Sequence, residues 1–306
     1  MQTVSETILE WSSSATIHQQ LNWQLSADDC IDCFSESMQP LASFIFEQQD
    51  VIKSPSALNE LKQWILLQSL YYYCQKTATN KLDIISSVCA KIVADGDGIF
   101  NNEQKQIASS IIVDEGYHSF SCMAIRSKVA QLNRIQFVKL PDNTTTLMEK
   151  IQQAMALIDP KNIDAFNLII AALVKATMSS EVNLNLEEKE NASLADSIYY
   201  RLQKSRQSDE TRHLCFFLDI LELYWQQLHV NIKADIMPAI QLFVESYNHG
   251  FCHFGNEFIA RLLIPLSVSK NMLDNALQYI RHKDADFNSR IYNSMLSLLN
   301  QSKILS

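Results

Sequence analysis

Glycine and proline are scarce in this chain, 5 and 6 among 306 residues, which leaves too few turn-formers for a many-stranded β architecture. Excess positive charge is missing as well. The formal net charge is -9, with Lys and Arg scattered rather than clustered, so there is no electrostatic footprint for nucleic acid or an anionic membrane. The greasiest segment, AFNLIIAALV, is too short to span a bilayer. The 7 cysteines form no regular framework, and Cys30-x-x-Cys33 has no second CxxC or paired His motif beside it. Neither a disulfide scaffold nor a thiolate zinc site is therefore expected. The opening MQTVSETILEWSSS has no basic region followed by an apolar one, and a cytoplasmic location is the expectation.

What the chain has is 47% apolar residues, enough to bury a sizeable core, in long stretches rich in Leu, Ala, Gln, Lys, Glu and Ile. An all-α fold follows, as one helical domain over 1–306. Residues 1–56 mix short apolar patches with Ser, Asp and Pro40 and read as an irregular arm with one short helix. Residues 57–230 hold the core helices. One runs about thirty-five residues from Ala57 without Gly or Pro. ADGDGIFNN breaks it, and Asn101 or Asn102 caps the next. Ile99, Phe100 and Gln106 stand where an EF-hand needs an oxygen ligand, Gly and Glu, so the break is a loop and not a calcium site. Further helices are expected over 144–157, from Ile163 after Asp159-Pro160, and over 193–229. Residues 231–306 supply three or four shorter packing helices, separated by NHGFCHFGN, Pro265 and RHKDADF.

Two short segments carry chemistry. VDEGYH and SDETRH hold the only two Asp-Glu dipeptides in the sequence, and each has His three residues after the Glu. With 7 His in 306 residues, the joint chance is roughly 1 in 2,000, set against the false-positive risk of any motif. Positions i and i+3 share a helix face, so Glu115 with His118, and Glu210 with His213, each present a carboxylate and an imidazole to one point. Two such helices facing one another make a cage. In ferritin-like four-helix bundles, two Glu-x-x-His helices and two further glutamates hold a pair of iron or manganese ions. Asp114 is placed to orient His213, and Asp209 to orient His118, as carboxylates do for ligating imidazoles. Arg212 can neutralise that aspartate layer.

The segments VDEGYHSFSCMAIRSKV, VKATMSSEVNLNL and QSDETRHLCFFLDILELYWQQL resemble the di-iron oxygenases of the para-aminobenzoate N-oxygenase type, over roughly residues 10 to 250. That resemblance implies a ferritin-like bundle with extra helices, two Fe ions (or Mn) as cofactor and O₂ as co-substrate. It implies N-oxygenation of an amine on a small-molecule or carrier-bound intermediate of secondary metabolism, with electrons from a separate donor; the oligomeric state is left open, a homodimer among the options. It also implies Glu115, His118, Glu210 and His213 as metal ligands, Glu115 and Glu210 as the catalytic carboxylates, and Glu181 in MSSEV as the third-helix ligand. Two departures stand out. Asn80 sits where the first helix should offer a carboxylate, leaving Asp83, one turn on, as the substitute or as an ordinary surface residue. Arg206 sits where such proteins often have another His. The alternatives are a C-hydroxylase or desaturase, and a degenerate ferritin-like protein with a weakened or single-metal site.

Overall fold

The computed structural model describes residues 11–18, 55–96, 98–134, 137–138, 150–191, 198–250 and 270–304. Among these there is no strand. Seven long or medium helices dominate: α1 Pro55–Asn80, α2 Ser87–Val93, α3 Asn102–Asn133, α4 Ile163–Asn191, α5 Ile198–Gln227, α6 Val230–Gly250 and α7 Lys270–Gln301. Between α1 and α2 the chain stays helical but widens into a π-helical stretch, Lys81–Ser86. The single long helix expected from Ala57 is thus one rod with a π segment inside it.

Local chemistry sets the ends. The Asn101 side chain accepts from the Gln104 N–H, and the Gln104 side chain accepts from the Asn101 N–H, a reciprocal capping box that starts α3. α3 stops at Arg134, whose φ of 54° is left-handed. Asp159 accepts from the Lys161 N–H, and Pro160 begins the 3₁₀ turn that feeds α4. The middle of α4, Leu168 to Ala176, is buried on every side, the mark of a helix at the centre of a domain.

α1 and α2 run antiparallel to α3, joined by the short 94–101 connection. Lys91 near the end of α2 pairs with Asp164 near the start of α4, so α3 and α4 begin at the same end of the bundle. α5 returns antiparallel to α4, stacking Tyr224 on Phe100 at that same end. α6 and α7 pack on α4 and on each other.

The C-terminal third departs from expectation. α6 continues through Pro238 and through Asn248 and His249, and α7 runs unbroken through RHKDADF. Of the expected helix over 144–157, residues 150–155 are helical; 144–149, Pro265 and Cys30-x-x-Cys33 fall outside the described residues.

Two apolar clusters fill the bundle. One packs Ile85, Ile111, Ile169, Phe217 and Phe243 with their neighbours. The other packs Leu67, Tyr71, Cys122, Ile125 and Leu202. Between them lies a layer of buried charge.

Candidate metal-type centre

That layer is built from α3, α5, α4 and the first residue of the π segment. Lys81 precedes Val93 at the end of α2 by about a dozen residues, as Glu115 follows Asn102 and Lys175 follows Ile163. Each is roughly 18 Å along its helix from the common end, which brings them to one level. Asp114, Glu115, His118, Lys175, Asp209 and His213 have 0% exposure, Lys81 1% and Glu210 2%.

The two Glu-x-x-His segments face one another. His213 Nε2 lies 2.9 Å from Asp114 Oδ2, and His118 Nε2 lies 2.9 Å from Asp209 Oδ2, the cross-pairing expected from the sequence. Arg212 Nη2 donates to Asp114 Oδ2 at 2.6 Å and to Asp209 Oδ1 at 3.0 Å, joining the two aspartates. The N-terminal segment closes over this layer. Trp11 Nε1 donates to Asp114 Oδ1 at 2.9 Å, and the Thr16 backbone N–H donates to Asp209 Oδ2 at 3.1 Å.

The sequence reading missed what sits at the middle. Lys81 Nζ donates to Glu115 Oε2, and to Glu210 Oε1 at 2.5 Å, and lies 3.1 Å from His118 Nδ1. Lys175 Nζ donates to Glu115 Oε1 at 2.5 Å. It also lies 2.5 Å from Glu210 Oε2 as an ion pair, at an angle that does not align a hydrogen bond. Each glutamate therefore spans both ammonium nitrogens, one carboxylate oxygen to each, as bridging carboxylates span two metal ions.

The electrostatics follow from that geometry. Burial works to lower the Lys81 pKa, but Glu115 and Glu210 outweigh it and hold the ammonium above its ordinary range. Burial works to raise the two glutamates; Lys175 and Lys81 outweigh it and hold both well below the carboxylate range. Asp209 is lowered too, its bond with His118 overcoming burial. Burial and the Lys81 charge oppose a proton on the His118 ring, but the bonds to Asp209 and Glu115 outweigh them and raise its pKa. The ammonium beside Nδ1 finds an acceptor there when the ring is neutral and protonated on Nε2. His213 places Nδ1 3.0 Å from Glu115 Oε1, so both its nitrogens face carboxylates. Lys81, Lys175 and Arg212 set three positive charges among the four carboxylates.

Glu115, His118 and Glu210 place ligand atoms within 4.8 Å of one another, a set that could hold a metal ion. The other expected ligands fare differently. Asp83 is exposed, two residues past Lys81 and turned from the centre, which removes it from the ligand set. The side chains of Asn80 and Glu181 lie outside the described residues. Lys175 is the residue that α4 brings to this level among those described. The Arg206 guanidinium bonds the Tyr73 hydroxyl and the Leu202 carbonyl, with Nη1 3.7 Å from Cys122 Sγ. Burial takes its pKa down to about 10, against Glu210 and Asp209. A cavity of about 350 Å³, lined by Lys91, Asp95, Phe100, Asp164, Asn167 and Tyr224, opens at the helix ends, away from the charged layer.

A dinuclear cation centre needs carboxylates from the two helices that here supply ammonium groups, and two cations cannot share the space between Glu115 and Glu210 with two lysines. Among the described residues, the side chains present do not fit a pair of metal ions. The signal for Lys175 was in the sequence, a lone lysine inside LIIAALVKATM, where an unpaired charge would be prohibitively costly. Comparison with known proteins finds no family model and no curated protein that matches the chain.

Proposed function

We propose that this chain is a metal-independent, non-redox protein on a di-iron-oxygenase-like helical frame, with a binding or structural role in place of oxygen chemistry. One observation carries the reading: the Lys81 and Lys175 ammonium groups lie between Glu115 and Glu210, where that frame would hold two cations. The hydrogen bonds that would orient metal-bound imidazoles, Asp209 to His118 and Asp114 to His213, remain in place and serve an ion-paired layer.

A second reading keeps the enzyme. Glu115, His118 and Glu210 offer a three-ligand set for one ion, and with Lys81 withdrawn that ion could support oxidation of an amine substrate by O₂ with electrons from a separate donor. Anaerobic reconstitution with Fe(II), followed by iron analysis and rapid-mixing absorption after O₂ is added, separates the two. The expected result is far less than one bound iron per chain, no transient band, and no oxygen uptake in the presence of an arylamine and a reductant. Stoichiometric iron with an O₂-dependent transient that an arylamine accelerates would replace this proposal with the N-oxygenase reading.

A further inference from the structure

We infer that Lys81 is a built-in cation that keeps divalent metal ions out of an otherwise complete three-ligand site. The inference rests on the reading of the centre as filled by ammonium groups. An ammonium has three donors, and three acceptors converge on Lys81 Nζ: Glu115 Oε2, Glu210 Oε1 and His118 Nδ1. These are the same three residues whose ligand atoms cluster within 4.8 Å. The tethered charge therefore uses up the ligand set of a metal ion.

The surroundings are those of a site that can bind. His118 turns its Nε2 to Asp209 at 2.9 Å, which orients the ring with Nδ1 toward Glu115 and Glu210, as a metal-ligating imidazole requires. Asp209 is itself held by Arg212 and by the Thr16 N–H, so the imidazole's orientation does not depend on Lys81. Two carboxylate oxygens and one imidazole nitrogen, with no thiolate, suit Mn(II), Fe(II), Co(II) or Zn(II). Lys175 supplies the remaining positive charge on the far side of both glutamates, which limits an opened site to one divalent ion.

The test titrates chelator-treated full-length protein with Co(II), Mn(II) and Zn(II), and compares wild type, Lys81→Met and Lys81→Gln, each alone and with His118→Ala. Bound metal after desalting, the visible Co(II) spectrum and the thermal midpoint are read together. Wild type is expected to retain almost none. The single Lys81 variants should retain about one ion per chain, with ligand-field bands of an N,O site and a raised midpoint, and adding His118→Ala should abolish all three. Folded Lys81→Met and Lys81→Gln that bind no more metal than wild type would overturn the inference and leave the proposed function standing. Wild type retaining a full equivalent would overturn both the inference and the proposed function. If neither variant folds without metal, folding restored by added metal supports the inference and folding not restored overturns it.

Discussion

Lys81 and Lys175 neutralise Glu115 and Glu210 in a layer that water does not reach, and that makes each lysine hard to replace. A buried ion pair is weak evidence of net stabilisation, but removing one partner leaves an uncompensated buried charge, which typically costs about 3–5 kcal/mol. Lys81→Met leaves both glutamates facing Lys175 alone. We expect a loss of about 3 kcal/mol at neutral pH, measured by urea unfolding, with part of it recovered when Glu210→Gln removes the surplus charge. An unfolding midpoint unchanged in Lys81→Met would mean that its ammonium is not paired in solution. At this scale the sequence was legible where the pattern is local. Glu115 with His118, and Asp114 beside them, lie within one turn of one helix, so spacing alone phases them. Lys81 and Lys175 are 94 positions apart and meet only through the packing of α4 against the other helices, which no local spacing encodes. The apolar setting of Lys175 pointed to a buried, paired charge but not to its partner.

The elements that carry these residues are held by ordinary end chemistry and one irregularity. The π segment begins at Lys81, and such segments, with more than 3.6 residues per turn, change which side chains face a neighbour. The family resemblance pointed to Asn80 or Asp83 as the ligand position, whereas Lys81 is the residue that reaches the centre and Asp83 faces solvent. The start of α3 was legible because Asn101 and Gln104 form a sequence-readable cap. Asn101→Ala removes the acceptor for the Gln104 N–H and should lower stability by about 1 kcal/mol. At the other end, Arg134 adopts φ 54°, a conformation that glycine accepts without a Cβ penalty. Arg134→Gly should raise stability by a few tenths of a kcal/mol to about 1, read as a higher urea midpoint at unchanged slope. A midpoint that falls in Arg134→Gly would place the stabilisation of this end in the arginine side chain and not in the backbone.

Over the whole molecule, the charged layer separates two apolar clusters, so its ionisation couples them. Glu115, Glu210 and Asp209 have folded pKa values below the ordinary 4.5 and 3.8. Their contribution is complete above those ordinary values and is lost as pH falls toward the folded ones. Lys81 is raised above the ordinary 10.5, so its contribution is complete below that and is lost as pH climbs through the folded value. For these four groups the contribution is complete from about pH 4.5 to about 10.5, bounded by a steep acid limb with proton uptake on unfolding, while His118, raised above the ordinary 6.5, contributes fully below that value and loses its share as pH climbs through the folded one. Because both lysines lie inside the protein, the layer needs no exchangeable ion, and a chelator should not shift the thermal midpoint anywhere in that range. A metal that bound the native state would behave otherwise, since its removal costs the native state its binding free energy. A midpoint that drops on chelation and recovers with added Fe(II) or Mn(II) would show that an ion, and not Lys81, is the cation Glu115 and Glu210 hold. A flat response, together with an acid limb that moves to higher pH in Lys81→Met as the glutamates lose their partner, would tie the stability of the bundle to its two internal lysines.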